Sequence, residues 1–181
     1  MVAPGRIFAE ATALNPRHHQ HLFVPSKLAY IRGKRPRVKC ILCSVARGDK
    51  KVTPLVAHET PGFLVTVNLY PYNPGHLMVF PRRHVEDFRE LGSAEGLELN
   101  RLLALSLDIL QKHYSPHGFN LGCNMGAASG ASIEHLHFHV VPRYSREKSF
   151  MDIISGTRIF AEDPKKALRA LRKAFQKAPK G

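Results

Sequence analysis

The chain has 181 residues and 44% hydrophobic content, enough for one domain with a sizeable core and some extra at the ends. It has no run of about 18 apolar residues able to cross a bilayer. Residues 1–20 lack the apolar stretch of a secretory signal, so a cytoplasmic protein without a membrane partner is expected. Three cysteines, Cys40, Cys43 and Cys123, are too few and odd in number for a disulfide framework. The net charge of +13 is uneven: residues 1–51 hold eleven Lys or Arg against two acids, residues 143–181 eleven against four, and residues 52–142 five against eight. Basic flanks attract polyanions, nucleic acid among them, or they only keep the termini soluble. The expected division is a basic N-terminal extension over 1–37, a domain over 38–145 and a basic C-terminal extension with a helix over 146–181.

Residues 1–25 show no clear period, and His18, His19 and His21 read as a solvated loop. Residues 26–39 are strongly basic, with a short helix near 28–31, and lead into Cys40-Ile41-Leu42-Cys43. That spacing suits half of a zinc site or a redox pair. Residues 53–58 and 63–68 read as strands, the second rich in β-branched side chains. Pro74-Gly75 suits the centre of a type II turn, and residues 76–81 follow as a strand, closing an antiparallel hairpin. Residues 85–91 form a short helical piece. Ser93 is the expected N-cap of a long helix over 94–113, with an apolar stripe through Leu99, Leu102, Leu103 and Leu110. A strand over 119–125, a small-residue loop over 126–132 and a basic amphipathic helix over 163–177 complete the pattern. Strands, one long helix and two further strands predict an α+β fold with a mainly antiparallel sheet.

The segment between loop and tail carries the chemistry. His135, His137 and His139 alternate with Leu136, Phe138 and Val140, a strand period that puts three imidazoles on one face and the apolar set on the other. Imidazoles within about 7 Å of their neighbours cannot all be protonated cheaply near neutral pH. Neutral imidazole is a nucleophile, an acid–base group and a metal ligand. Cys40 and Cys43 need two more ligands for a tetrahedral zinc site, and His84 and His135 are candidates. The small-residue loop, with Gly130 in it, allows backbone N–H groups to approach an anion beside the histidines.

His135-Leu136-His137-Phe138-His139-Val140-Val141, together with the upstream Asn73-Pro74-Gly75-His76, resembles the histidine-triad (HIT) superfamily over about residues 38–145. The finer resemblance, carried by residues 68–77 and 117–120, is to bacterial diadenosine-tetraphosphate phosphorylase and hydrolase members. The resemblance implies a HIT-like fold and a nucleotidyl hydrolase or transferase. His137 would attack the α-phosphorus, while His139 and His76 would bond phosphate or leaving-group oxygens. Asn68 would contact ribose, and Asn124, Ser132 and Gly130 would hold phosphates. It further implies a structural zinc on Cys40, Cys43, His84 and His135, and a homodimer with the sheet continued across its interface. Many members carry Ala-Gly-Gln before a Ser or Thr ahead of the triad. Here Ala131 replaces the Gln, removing one polar contact. His139 in place of the Gln of uridylyltransferases favours the hydrolase or phosphorylase branches, and Tyr144 is expected to face the base or the leaving nucleotide. Two other functions fit these residues: hydrolysis of nucleotides linked to nucleic-acid ends, and a non-enzymatic zinc-stabilised nucleotide-binding module.

Overall fold

The computed structural model describes residues 36–145 and 162–178. The histidine cluster at 18–21 and the helix expected near 28–31 lie outside them. Five strands, β1 (Val56–Glu59), β2 (Phe63–Val67), β3 (Leu77–Pro81), β4 (Gly118–Cys123) and β5 (Phe138–Arg143), form one antiparallel sheet in the order β1-β2-β3-β5-β4. Among the described residues three α-helices accompany it: α1 (Ile41–Ala46), α2 (Ser93–Tyr114) and α3 (Pro164–Lys177). This is the α+β architecture with one long helix that the sequence predicts.

The sheet separates two cores. Phe63, Val65, Val67, Leu77, Val79 and Val140 face α2 and α3, meeting Leu99, Leu102, Ile109 and Leu110 from one helix and Ala167, Leu171 and Phe175 from the other. On the opposite face Leu64 and Phe80 meet Leu42, Val45 and Val52 around α1. All five residues of β2 are buried, because alternate side chains enter alternate cores. Ser106, buried within the apolar stripe of α2, is satisfied by donating to the Leu102 carbonyl at 2.7 Å. The helix expected at 163–177 is α3, capped by Asp163, whose side chain accepts from the Lys165 N–H.

Two local expectations need correcting. Ser93 is not the cap of α2 but lies inside it; Gly92 is the N-cap, and Glu95 reaches back to accept its N–H at 2.9 Å. Arg83 binds the same carboxylate through two nitrogens, which favours Glu95 over a serine hydroxyl in that role. The triad is not one continuous strand face either. β5 starts at Phe138, and its pairing with β3 ends at Val79↔Phe138, so only His139 sits in the sheet. His135 and His137 precede it in a segment held by the Leu136 N–H bond to the Val85 carbonyl, 2.6 Å. Leaving the ladder frees His135 to turn toward Cys40 and Cys43.

Candidate active site

The hairpin turn places His76. Asn73 and His76 close the turn through His76 N–H to Asn73 O at 3.1 Å, and Gly75 takes φ +78°, the left-handed value that a type II turn requires at its third residue. His76 is therefore the last turn residue, one before the strand in which it was expected. Its ring is fully buried and meets His139 across the sheet.

Hydrogen bonds assign the tautomers. The backbone N–H of Tyr72 donates to His76 Nδ1 at 3.0 Å. The neutral His76 therefore carries its proton on Nε2, which donates to His139 Nδ1 at 2.9 Å. His139 in turn carries its proton on Nε2. His137 Nδ1 lies 2.8 Å from the His135 carbonyl and must donate to it, which leaves the lone pair on His137 Nε2. The His137 and His139 rings are 4.8 Å apart, edge to face. An unprotonated Nε2 and a proton-bearing Nε2 thus belong to neighbouring rings.

Burial keeps these rings neutral. It lowers His76 to about 3, with repulsion from His139 and His137 adding to the effect. Burial also lowers His139 to about 4, with His137 as the second cause. His137 moves down for the same reason, opposed by its bond to the His135 carbonyl. Near neutral pH all three are imidazoles, as nucleophilic and proton-transfer work requires.

The other predicted residues lie at different distances from this centre. The Asn68 amide nitrogen is 3.3 Å from His76 Nε2, and its carbonyl accepts from Tyr70 N–H at 2.9 Å. A cavity of about 400 Å³ opens beside His139, lined among others by Tyr72, Asn120, Asn124 and Arg143. Asn124 borders it, whereas Asn68, Gly130 and Ser132 do not. Gly126 and Gly130 hold φ +76° and +81° around a short 3-10 turn at Ala127–Ser129, so glycine is required at both ends of that loop. Tyr144 faces back into the protein, where its hydroxyl donates to the Pro74 carbonyl at 3.2 Å.

Sequence reasoning missed several contributors. Tyr72 caps the histidine pair, its ring 4.8 Å from His76 and 5.8 Å from His139. Asn73, also buried, donates to the Pro142 carbonyl at 2.6 Å and ties the turn to β5. Asn73 was visible within the Asn-Pro-Gly-His run; no local signal marked Tyr72.

Cys40, Cys43, His84 and His135 form a second centre, their ligand atoms all within 4.8 Å of one another. Cys43 Sγ is 3.3 Å from His84 Nδ1 and 3.4 Å from His135 Nδ1. Tetrahedral zinc with ordinary Zn–S and Zn–N lengths needs ligand–ligand edges of about 3.3–3.8 Å, and these Sγ–Nδ1 distances lie in that range, so two thiols and two imidazoles fit the ion. Both imidazoles present Nδ1 to the thiols because Nε2 is engaged elsewhere: His84 donates to Glu86 at 2.9 Å and His135 to the Pro81 carbonyl at 2.9 Å. Such outer bonds fix the ring orientation of metal-binding histidines. The cysteine pair does open a helix, as a redox pair would, with Cys40 as the N-cap of α1. Its surroundings are an antiparallel sheet, however, and burial, followed by the bond with Cys40, pushes the Cys43 thiol up to about 11. A redox cysteine needs the opposite shift. His135 links the two centres, with its ring in the cysteine cluster and its carbonyl on His137.

Comparison with known proteins agrees with this geometry. The family model described as HIT domain matches residues 50–146. An AP-4-A phosphorylase of Mycobacterium tuberculosis is 40% identical over 114 residues, covering 62% of this chain and 58% of that protein. The asymmetrical bis(5'-nucleosyl)-tetraphosphatase of Schizosaccharomyces pombe is 31% identical over 88 residues, covering 49% of this chain and 48% of that protein. The match thus spans about half the length of these relatives. Among solved structures, a Zn-bound histidine triad family protein from Mycobacterium smegmatis superposes with TM-score 0.63 and 25% identity, covering 76% of this chain and 94% of that one. A family match over more than half of the chain, on a sheet that brings the histidines together at its centre, makes this protein a member of the HIT domain family.

Proposed function

We propose that the protein cleaves dinucleoside polyphosphates such as diadenosine tetraphosphate, or related adenylyl compounds, through a nucleotidyl-histidine intermediate on His137. The observation that carries the reading is the tautomer chain: a lone pair on His137 Nε2 beside a proton on His139 Nε2. His137 Nε2 attacks the α-phosphorus. The bond from phosphorus to the bridging oxygen breaks, its electron pair stays on that oxygen, and the nucleoside polyphosphate leaves as an anion hydrogen-bonded by the His139 Nε2–H. The positive charge that forms on the His137 ring is held through Nδ1–H by the His135 carbonyl. An acceptor oxygen then attacks phosphorus, and the P–N electron pair returns to His137. Where the acceptor is water, its protons leave with the nucleotide product and to solvent. His76 keeps His139 in the required tautomer. Asn124, at the cavity beside His139, and Gly130, Ser132 and Asn68 bind the phosphates and ribose.

Cys40, Cys43, His84 and His135 hold a structural zinc in this reading. With four protein ligands the ion supplies folding energy, fastening α1 to the segment that carries the nucleophile. A homodimer joined through β4 is also proposed. This strand is an outer edge of the sheet, and Leu121 on it is 50% exposed, with Met125 at 42% and Phe88 at 47% nearby.

Intact-protein mass measured during turnover of diadenosine tetraphosphate tests the reading. A transient adenylyl adduct absent from His137→Ala is expected. ADP with ATP in the presence of phosphate identifies a phosphorylase, and AMP with ATP in water a hydrolase. Turnover that survives His137→Ala would remove His137 as nucleophile. A second reading, nucleotides linked to nucleic-acid ends, is favoured by the exposed Lys165, Lys166, Arg169, Lys173 and Lys177 on α3. It predicts steeply salt-dependent binding to adenylated DNA, and salt-insensitive or absent binding would count against it.

A further inference from the structure

We propose that Glu162 is a positioning residue for this site, clamping the Asn73–His76 turn so that His76 stays in register with His139; this rests on the function proposed above. Glu162 lies beyond the segment matched by the family model and just before α3. Its carboxylate reaches back across the fold and accepts twice, from the Gly75 N–H at 3.1 Å and from the Tyr114 hydroxyl at 2.7 Å. Tyr114 is the last residue of α2, and its ring forms the floor under Gly75. A Cβ on Gly75 would stand 2.9 Å from Tyr114 Cε2, so only glycine fits both the space and the φ of +78°.

The three residues before His76 are thus anchored by two separate parts of the chain, the end of β5 and the start of α3. Asn73 is tied to the Pro142 carbonyl, the Pro74 carbonyl to the Tyr144 hydroxyl, and the Gly75 N–H to Glu162. Of these anchors Glu162 alone is a carboxylate, so its bonds are charge-assisted. Burial, and after it the Glu162 carboxylate, pushes the Tyr114 phenol well above its ordinary range, so Tyr114 remains a donor. What depends on the clamp is the next residue. His76 must meet the Tyr72 N–H at 3.0 Å and His139 Nδ1 at 2.9 Å together. A shift of the turn by a fraction of its bond lengths breaks one of these bonds and releases the His139 tautomer.

The test compares Glu162→Ala, Glu162→Gln and Tyr114→Phe in the full chain, by initial rates on diadenosine tetraphosphate and by imidazole 15N spectra. Displacements of about 1 Å cost up to about a hundredfold in rate, and a partial release predicts a kcat about tenfold lower for Glu162→Ala with KM changed less than about twofold. Glutamine accepts from the Gly75 N–H and donates to the Tyr114 oxygen, so Glu162→Gln should restore most of kcat. In Glu162→Ala the His76 and His139 nitrogens should lose their single-tautomer shifts. A wild-type kcat with unchanged imidazole spectra overturns the inference, as does a Glu162→Gln variant as impaired as Glu162→Ala. A role limited to anchoring α3 would lower the melting temperature and leave both readouts alone. Should Glu162→Ala not fold, Tyr114→Phe keeps the ring under Gly75 and loses only the hydroxyl. It should show the same spectral change to a smaller degree, and an unchanged spectrum counts against the clamp. If the wild-type chain turns over no dinucleotide, the proposed function falls, while the spectra still decide the clamp.

Discussion

Removing the proposed zinc should release α1 and leave the sheet standing. A six-residue helix has no stability of its own. Its anchorage in the smaller core comes chiefly from Leu42, Val45 and Val52 against Leu64 and Phe80. Burying three such side chains contributes about 6 kcal/mol at the middle of the usual range. Fixing the backbone of residues 38–52 costs about 15–20 kcal/mol even near the lower end of the per-residue estimate. The shortfall, about 9–14 kcal/mol, is comparable with the roughly 10–16 kcal/mol that a structural zinc supplies to small metal-dependent folds. Hydrogen–deuterium exchange before and after chelation, with zinc counted by elemental analysis, checks this. Amides in residues 38–52 should lose protection, whereas those of β2, β3 and β5 keep theirs. Protection that persists in residues 38–52 after proven removal of the metal would refute the reasoning. A purified chain that takes up no zinc would refute the site itself.

His137→Ala should abolish turnover, by more than about a thousandfold, because the unprotonated nitrogens of the neighbouring rings, His76 Nδ1 and His139 Nδ1, are already engaged as hydrogen-bond acceptors. Zinc content and melting temperature should stay near wild type, which calorimetry and elemental analysis can verify. Asn73→Ala leaves the Pro142 carbonyl without its side-chain donor in a buried place and should cost about 1–3 kcal/mol, measured by urea unfolding. Stability should also fall on acidification. Because His76 and His139 are depressed to about 3 and about 4, the unfolded chain takes up protons below pH 6.5 that the folded chain refuses. Their contribution is complete above about pH 6.5 and declines toward pH 4, by up to about 1.4 kcal/mol per pH unit from His76 and less from the half-buried His139. Urea melts at pH 7, 6 and 5 should follow this order; greater stability at pH 5 would contradict the buried neutral pair.

Much of this molecule is legible in its sequence wherever the signal is local. The alternation of His135 to Val140, the glycine of the type II turn and the β-branched run of β2 each reflect steric rules acting over a few residues. Pairing the two cysteines with His84 and His135 came from resemblance and spacing, and the fold does bring the four together. Contacts between distant segments were not legible. That His135 leaves the ladder depends on where β3 stops supporting β5. The cap of α2 depends on Arg83 steering Glu95. Glu162 sits eighty-seven residues from Gly75, and no pattern around either of them predicts their contact. His76, read as part of a strand, owes its tautomer to a backbone N–H four residues earlier, in a turn whose geometry the sequence implies only in outline.

The two edges of the sheet are unequal. At β1 the Arg172 side chain of α3 bonds the Val56 carbonyl, one of these contacts at 3.1 Å, and Phe175 stacks on His58 at 5.1 Å. A bulge between Val56 and His58 further spoils that edge as a template. Among the described residues strand addition is therefore obstructed at one end and open at the other. If two copies joined edge to edge about a twofold axis at β4, each would consume that edge and present the obstructed one outward. Such an assembly would terminate at two without propagating into a filament, and α3, the lid on the core, would then also be its chain stopper.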